Sequence, residues 1–431
     1  MTEGTMIVLV FMVFFSLLLS RVPVALALGL ASFAYFLTTS GPPMSVVQKT
    51  AIQMSDEILV SIPFFILCGE IMAAGGMARR LIDLANVFVG FIRGGLAMVN
   101  VLASMFFGGI SGSSVADTSS IGSILIPMMV RKGYDRDFSV AVTVTSSTQG
   151  IIIPPSHNAI IYSLAAGGSA SVHALFLAGY LPGLTVGVAL MAVSWWIARA
   201  RGYPREVGVP LREAKSILIG SLPALVTPLI IMVPISMGRV PAHRPAVLAV
   251  LWAAGVSTFI YRSLPWRRYP RILLRASKTS GMVMILVGCA AAFGEVLTYL
   301  HVPARMASSL LSATDSRVVM LLSVNLLLLV LGLIMDMAPL IVITTPVLLP
   351  AMIEVGVDPV QFGVILLLNL GLGLCTPPVG STLFVGCAIG KISIEKVTMA
   401  LWPFYLVMLA VLLLVTFVPA FSLWLPSIMA P

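Results

Sequence analysis

Charged residues are scarce in this chain. Asp, Glu, Lys and Arg make up only 10% of its 431 residues, whereas hydrophobic residues make up 59%. A soluble domain carries roughly a quarter charged residues, and no stretch of the chain is long and polar enough to form one. Apolar stretches long enough to cross a bilayer as helices recur instead, for example at 214–237 and 397–424. The composition therefore predicts an all-α polytopic membrane protein.

Enzyme motifs and paired cysteines are also missing. No HExxH, GxSxG, P-loop or Rossmann fingerprint occurs in a credible context. Without a nucleotide-binding element, a permease with this sequence must draw on an ion gradient, and we predict neither an enzyme nor a cofactor. The four cysteines have no CxxC or metal-ligand spacing and are interpreted as packing residues: Cys68, Cys289, Cys375 and Cys387.

The formal net charge is nevertheless +9. In a soluble protein this would indicate a nucleic-acid partner. Here the basic residues cluster in short loops between apolar spans, at 199–215 and 262–278. Short loops rich in Lys and Arg face the cytoplasm, so membrane topology explains the charge and no nucleic-acid partner is predicted.

Two Pro-Pro pairs interrupt long apolar segments, Pro154-Pro155 and Pro377-Pro378. Proline removes a backbone donor and breaks a helix, and each freed backbone group in hydrocarbon is costly unless protein or water takes it up. Simple proline kinks would explain one pair. Two pairs at matching places, amid small polar residues, indicate a binding site built from unwound helices at mid-membrane.

The two halves of the chain are related. The spacing that separates Pro154 from Pro377, called the repeat offset below, pairs further identical residues without gaps: Pro127 with Pro350, Met129 with Met352, Gly133 with Gly356, Asp135 with Asp358, Gly150 with Gly373, Pro155 with Pro378, and Gly167 with Gly390. We predict a first repeat at 1–210, two linking spans at 211–265 and a second repeat at 266–431. Counting spans, with 95–125 read as re-entrant, predicts that the repeats are inverted.

The segment from Phe107 to Ser123 is the densest polar signal. Thirteen of its seventeen residues are Gly, Ser, Thr, Ala or Asp, although apolar sequence flanks it. Hydroxyls and exposed carbonyls are the hard oxygen ligands that suit alkali cations. The alternative is a helix-packing face of small residues, but Asp117 makes that arrangement expensive.

Asp117 and Asp336 are carboxylates within membrane segments. Such groups are costly there and usually mark an ion or substrate path. Their spacing is slightly shorter than the repeat offset, so we expect them to be approximate and not strict counterparts. The structural alternative is an acid that caps a broken helix. Weaker candidates, for which a structural role is the favoured interpretation, are Glu70, Glu295 and His157.

At each break, an unwound turn would expose carbonyls on one side and a half-helix N-terminus on the other. Carbonyls coordinate Na⁺, whereas the N-terminal dipole attracts a carboxylate. This division of labour is typical of a symporter for organic acids. The predicted substrate contacts are the polar residues and the glycine beside these termini: Ser114, Ser156, Asn158, Gly380 and Ser381.

Four stretches resemble the large membrane subunit of TRAP transporters, the tripartite ATP-independent periplasmic family typified by the C4-dicarboxylate permease. They are FGGISGSSVADTSSIGSILIP (107–127), KGYDRDFSVAV (132–142), SSTQGIIIPPS (146–156) and LNLGLGLCTPPVGSTLF (368–384). The shorter DPVQFGV (358–364) also fits. The resemblance runs from the first span to the last. One departure is Gln149, where a small apolar residue is expected.

The resemblance implies an elevator-type permease with an inverted repeat, broken helices and two re-entrant hairpins in the bacterial inner membrane. It implies Na⁺ as the coupling ion, a C4-dicarboxylate, sialic acid or similar carboxylate as substrate, a separate small four-span subunit, a periplasmic binding protein and surrounding lipid. One cation site would use Ser111, Ser113 and Asp117 with backbone near Gly150 and Pro154. The other would use Asp336, Gly373, Thr376 and Pro377.

Three other functions stay open from the sequence. A stand-alone Na⁺/dicarboxylate symporter of similar architecture would not need a binding protein. A passive channel would conduct without saturation and without Na⁺. An intramembrane enzyme is disfavoured by the missing nucleophile and base.

Overall fold

The computed structural model describes residues 3–39, 41–205, 208–236, 240–241, 243–313 and 316–429. These residues form α-helices with no β-strand, apart from an isolated bridge between Arg93 and Arg205. The helices of the first half are α1 (Glu3–Leu19), α2 (Val24–Thr38), α3 (Met44–Met54), α4 (Glu57–Ala74), α5 (Met77–Val89), α6 (Gly95–Ser111), α7 (Ser114–Arg131), α8 (Arg136–Ser147), α9 (Gln149–Ile152), α10 (His157–Ala165) and α11 (Val172–Ala200).

The remaining helices are α12 (Leu211–Ser236), α13 (His243–Gly255), α14 (Tyr269–Tyr299), α15 (Val302–Ala313), α16 (Arg317–Gly332), α17 (Met337–Glu354), α18 (Pro359–Leu374), α19 (Ser381–Gly390), α20 (Ile394–Phe417) and α21 (Ala420–Met429). A π-turn extends α13 to Ile260, and a 3-10 turn precedes α14. Seven helices of the described residues are long and apolar enough to cross a membrane. The all-α membrane fold predicted from composition is confirmed.

Two helix pairs fold back on themselves as hairpins. In hairpin 1, α6 and α7 are joined by only Gly112 and Ser113, and Gly112 adopts a φ of 60°, a left-handed conformation that favours glycine. In hairpin 2, residues 333–336 join α16 to α17. Each short connection turns the chain back at the tip; α6 packs along α7, whereas α17 packs mainly against α15 and α10. Both tips therefore end at the polar segments that the sequence singled out.

The structure reproduces the internal repeat helix by helix. Helices α7 and α17 are both 18 residues long, and the repeat offset takes the first residue of α7 to that of α17 and the first residue of α8 to that of α18. Gly133 and Gly356, which precede α8 and α18, both have positive φ, of 88° and 76°. Asp135 and Asp358 are the N-cap residues of these two helices. The identities seen in the sequence thus mark equivalent turns.

The two broken segments run in opposite directions. The end of α19 lies beside the start of α8, because a Cβ on Gly390 would lie 2.3 Å from a methyl of Val140. The end of α10 lies beside the start of α18, where the Tyr162 hydroxyl donates to the Pro359 carbonyl at 2.6 Å. Each segment therefore enters where the other leaves, and the predicted inversion of the repeat is confirmed.

Basic residues distinguish the two sides. The side that holds the start of α8 and the end of α19 also holds the end of α11, since Arg201 pairs with Asp135 at 2.9 Å. This side carries a dense set of Lys and Arg: Arg131, Lys132, Arg136, Arg199, Arg201, Arg205, Lys391 and Lys396. The positive-inside rule predicts that this is the cytoplasmic side. Hairpin 1 enters from it, and hairpin 2 enters from the opposite side.

Helices α12 and α13 connect the repeats, close to the two linking spans expected at 211–265. Helix α13 packs on α4, and α12 packs on α5. The division of the chain at 210 and 265 into separate units stays a prediction.

Candidate functional site

The tip of hairpin 1 packs against the Pro154-Pro155 break. A Cβ on Gly150 would lie 2.6 Å from Cα of Gly108, so the two backbones touch. A Cβ on Gly109 would lie 3.0 Å from the Pro154 carbonyl oxygen. Glycine is required at this approach because any side chain would separate the hairpin from the break. Both Pro-Pro bonds, Pro154-Pro155 and Pro377-Pro378, are cis.

Polar groups gather at the same tip. Ser111 is buried, and the Ser113 hydroxyl accepts a hydrogen bond from the Ala116 amide at 3.3 Å as the N-cap of α7. The Asn158 side-chain amide donates to the Gly112 carbonyl at 3.2 Å and ties α10 to the tip. The predicted residues Ser111, Ser113 and Pro154 are therefore brought together.

Asp117 lies farther along α7 and faces the protein interior. It is fully buried, and neither of its carboxylate oxygens has a hydrogen-bond partner among the described residues. The hydroxyls of Ser104 and Ser147 lie beside it, but no cationic side chain pairs with it among the described residues. A buried carboxylate without a partner is very costly. Asp117 therefore fits a position that binds a cation.

A hydroxyl and amide network surrounds this carboxylate. The Asn100 side-chain amide donates to the Thr143 hydroxyl at 2.6 Å, and the Ser146 hydroxyl donates to the Asn100 side-chain oxygen Oδ1 at 3.2 Å. Ser104 lies 3.2 Å from Ser146. All of these side chains are buried. Sequence reasoning missed Asn100 and Ser104 because they precede the run at 107–123; their spacing of four residues in an apolar helix was the available signal.

The tip of hairpin 2 uses a different acid. Asp336 is exposed and occupies the N-cap position of α17 without a side-chain capping hydrogen bond, and the Ser381 hydroxyl donates to its carboxylate at 3.4 Å. The Val379 amide donates to the Leu333 carbonyl at 3.2 Å. At the repeat offset, Asp336 corresponds to Ser113, and Leu340 corresponds to Asp117. The two acids are therefore not strict counterparts, as their spacing in the sequence indicates.

The second break is tightly folded. A Cβ on Gly373 would lie 2.7 Å from the Gly332 carbonyl oxygen, which repeats the glycine contact of the first hairpin. The Thr376 hydroxyl donates to the Leu372 carbonyl at 2.7 Å, and the Gly380 amide donates to the Thr376 carbonyl at 3.1 Å. A Cβ on Gly380 would lie 2.8 Å from two carbonyl oxygens, so this position requires glycine. Gly373 and Thr376 thus lie near the second tip, as does Pro377.

The predicted substrate residues lie at half-helix N-termini from both repeats. The hydroxyls of Ser114, at the start of α7, and Thr382, at the start of α19, are 2.9 Å apart. Ser156 is buried, and its hydroxyl has no partner among the described residues. The structure thus joins Ser114 to the second repeat, while Asn158 and Ser381 each contact the hairpin of their own repeat. Their contact with a substrate stays a prediction.

Gln149 points away from the hairpin tip. Its side chain is fully buried, and a Cβ on Gly187 of α11 would lie 2.6 Å from its carbonyl oxygen. Neither amide atom has a partner among the described residues. Gln149, which stands where a small residue was expected, therefore packs against α11 and does not face the hairpin tip.

The weaker acidic and histidine candidates separate into two groups. Glu295 forms an ion pair with Lys49 at 3.7 Å and accepts from the Tyr299 hydroxyl at 3.2 Å, which favours a structural role. Glu70 and His157 line a cavity of about 590 Å³ that also contains Ser111 and Ser113. These two residues therefore face the candidate site.

Comparison with protein families gives a match over most of the chain. Residues 11–421 match the model of the DctM component of tripartite ATP-independent periplasmic transporters. The chain is 34% identical to the C4-dicarboxylate TRAP transporter large permease protein DctM of Rhodobacter capsulatus, over 98% of this chain and 99% of that protein.

Two further similarities bear on architecture. The chain is 38% identical to the isethionate TRAP transporter permease protein DctMQ of Oleidesulfovibrio alaskensis, over 94% of this chain and 64% of that longer protein. Its fold resembles the crystal structure of the Alcanivorax borkumensis YdaH transporter, with a TM-score of 0.66, 14% identity and 88% of each chain covered. The similarity to the YdaH transporter concerns the fold alone.

Proposed function

Because the chain belongs to the DctM family of TRAP transporter large permease subunits, we propose that it is the large membrane subunit of a Na⁺-coupled transporter that imports an organic acid. The observation that carries Na⁺ coupling is the buried carboxylate of Asp117. A bound cation would balance the negative charge of this buried carboxylate, and the nearby hydroxyls offer further oxygen ligands. Na⁺ here is a transported ion rather than a resident cofactor.

The convergence of half-helix N-termini supports an anionic substrate. Helices α7 and α19 meet at Ser114 and Thr382, and α10 begins beside the tip of hairpin 1. Helix N-termini present unpaired amides and a positive dipole end, which favour a carboxylate. The names of the relatives refer to C4-dicarboxylates and to isethionate, both small organic anions. We therefore propose a small organic acid without choosing among them.

The contact between hairpin 1 and α4 supports an elevator motion. The tip of hairpin 1 meets the α4 helix where a Cβ on Gly69 would lie 3.2 Å from Cα of Ser111. A glycine at this contact leaves no side chain to interlock with the tip, so the hairpins, the broken helices, α11 and α20 can move as one body past α4. A small four-span membrane subunit and a periplasmic binding protein are the proposed partners, in the bacterial inner membrane and in contact with its lipids.

Reconstituted uptake tests this function. Proteoliposomes containing the chain and the small subunit are supplied with the binding protein and a panel of labelled organic acids, with and without an inward Na⁺ gradient. Saturable uptake of one acid that needs both Na⁺ and the binding protein is the expected result. Uptake without the binding protein would favour a stand-alone symporter, and unsaturable flux without Na⁺ would favour a channel.

A further inference from the structure

The cavity beside hairpin 1 extends from mid-membrane to the cytoplasmic side. One wall is the face of α7 that carries Ser119, Ser120 and Ser123, beginning at the hairpin tip. The opposite wall comes from α4, the start of α5 and the first turns of α14. Arg79 and Arg275 line its cytoplasmic part, next to the basic loops described above. A solute released at the tip therefore meets this cavity before it reaches the cytoplasm.

Two guanidinium groups give this cavity a positive field. Arg275 forms neither an ion pair nor a hydrogen bond with any residue in the described part of the chain. Arg79 interacts electrostatically with Asp83, one turn farther along α5, so part of its charge is balanced. The carboxylate that lines the same cavity, Glu70, directly follows Gly69, which contacts the hairpin tip. Positive charge therefore dominates at the cytoplasmic mouth.

The equivalent position in the second repeat lacks this chemistry. A smaller cavity, of about 210 Å³, lies against α17 and is lined by Val342 and Pro346. At the repeat offset, these correspond to Ser119 and Ser123. Its cation, Lys49, is already paired with Glu295. The hydroxyl-lined wall and the unpaired arginine thus belong only to the cytoplasmic member of these two cavities.

We propose that this cavity is an anion-binding vestibule in which Arg275, assisted by Arg79, binds the carboxylate of a small organic acid between the hairpin tip and the cytoplasm. Guanidinium groups bind carboxylates through paired N–H donors. The hydroxyls of Ser119, Ser120 and Ser123 form a polar wall opposite the arginines. The identity of the acid as transported substrate rests on the proposed function, whereas the preference for small carboxylates does not.

The field inside the cavity is measurable with charged thiol reagents. The parent protein carries Ser123→Cys, at an exposed position that lines the cavity, together with Cys289→Ala, because Cys289 is the one described native cysteine that is not buried. Modification rates are compared for 2-sulfonatoethyl methanethiosulfonate, which is anionic, and 2-(trimethylammonium)ethyl methanethiosulfonate, which is cationic. No Na⁺ gradient is applied.

We expect Arg275→Gln to lower the ratio of the anionic to the cationic rate by about threefold or more. The matched control is Arg268→Gln, which removes an exposed cytoplasmic charge that does not line the cavity. It is expected to change the ratio by less than about 1.5-fold because salt screens distant charges. If the two variants had equal ratios of anionic to cationic modification rate, at unchanged elution in size-exclusion chromatography, the proposed vestibule would be refuted.

Succinate provides the second readout. Millimolar succinate is expected to slow modification of Ser123→Cys in the parent, whereas neutral succinamide is not, and Arg275→Gln should abolish the protection. Absent protection in the parent, or protection that survives in Arg275→Gln, contradicts a carboxylate site at this arginine. Because both readouts are taken without transport, a failure of Na⁺-driven uptake would refute the proposed function and leave this result standing.

Discussion

Asn158 and Ser381 occupy equivalent positions in the two repeats, and each binds the hairpin tip of its own repeat. Asn158 donates to the Gly112 carbonyl at 3.2 Å, and Ser381 donates to the Asp336 carboxylate at 3.4 Å. In both repeats, the helix that follows a Pro-Pro break is thus tied to a re-entrant tip. The geometry is repeated, but the acceptor changes from a backbone carbonyl to an acid.

Replacing Asp117 by Asn tests the buried carboxylate. The change keeps the shape of the side chain and removes the charge that would balance a cation, so we expect Na⁺-dependent uptake to fall by at least about tenfold, equivalent to about 1.4 kcal/mol. Na⁺ should raise the Tm of the parent by binding the folded state, but not the Tm of Asp117→Asn. The control is Asp137→Asn at the cytoplasmic side. Parental uptake in Asp117→Asn would refute the assignment.

Asp336 permits a separation of helix capping from ion binding. Asp336→Ser places at hairpin 2 the residue type that Ser113 provides at hairpin 1, and serine is as good an N-cap as aspartate. We expect the Tm to change by little and Na⁺-dependent uptake to be lost. Asp336→Ala should likewise lose uptake with little change in Tm, because the Asp336 side chain makes no capping hydrogen bond in α17. Uptake retained in Asp336→Ser, measured in the same vesicles, would refute a role of the Asp336 carboxylate in ion binding.

The glycine contacts at the two hairpins predict a loss of stability. A methyl group on Gly150 or Gly373 would clash with the backbone of Gly108 or Gly332. We expect Gly150→Ala and Gly373→Ala each to cost about 1–3 kcal/mol, because backbone cannot give way as a side chain can. Gly281→Ala is the matched control, since no atom lies within 4 Å of its Cβ position in α14. That change should stabilise the protein by about 0.5–1 kcal/mol.

Thermal unfolding in detergent measures all three glycine variants. A Tm for Gly150→Ala and Gly373→Ala at or above that of Gly281→Ala would contradict the close approach of hairpin and break. A selective loss of uptake without loss of Tm would instead assign these glycines to motion of the tips.

Much of the fold could be predicted from the sequence because a membrane imposes strong constraints on which segments form helices. Long apolar segments predict helices, and the paired prolines mark the breaks at 153–156 and 375–380 because an interrupted helix in hydrocarbon needs a compensating environment. The repeat offset even aligns the first residues of α7 and α17. Inversion was predicted by counting spans, with the segment at 95–125 read as re-entrant, because an odd number of crossings in each half inverts the repeat.

The interior of the site was less accessible to sequence reasoning. The prediction grouped Asp117 with Ser111 and Ser113 because all three match one motif of the family that the chain resembles. In the structure, Asp117 faces Ser104 and Ser147, which come from two other helices. Which face of α7 a side chain occupies depends on how α6 and α8 pack around it, and periodicity in a segment rich in small residues does not reveal that. Arg275 was assigned to membrane topology because it belongs to the basic cluster at 262–278, and its position in a cavity depends on helix packing that the sequence does not show.

Tyr203 affects the pKa of the Asp135 carboxyl, and this effect predicts how the stability of the protein depends on pH. Its hydroxyl donates to Asp135 at 2.7 Å, and together with Arg201 this hydrogen bond lowers the pKa of the Asp135 carboxyl below its ordinary value of 3.8. A carboxyl with a lowered pKa in the folded protein stabilises the fold above that ordinary value, and the stabilisation is lost as the pH falls through the lowered pKa.

We therefore expect Tyr203→Phe to lower stability at pH 7 by about 0.5–1 kcal/mol, a modest effect because Asp135 is largely exposed. The loss should shrink as the pH falls below 3.8, where Asp135 becomes protonated in both proteins. Thermal unfolding of the two proteins across this range checks the sign. Tyr269→Phe serves as the control, since that hydroxyl lies 2.7 Å from the Thr258 hydroxyl and contacts no acid among the described residues. A deficit for Tyr203→Phe that stays constant down to the lowest pH would show that the bonds which the hydroxyl accepts from the Asp135 amide and Arg201, rather than its bond to the carboxylate, are responsible.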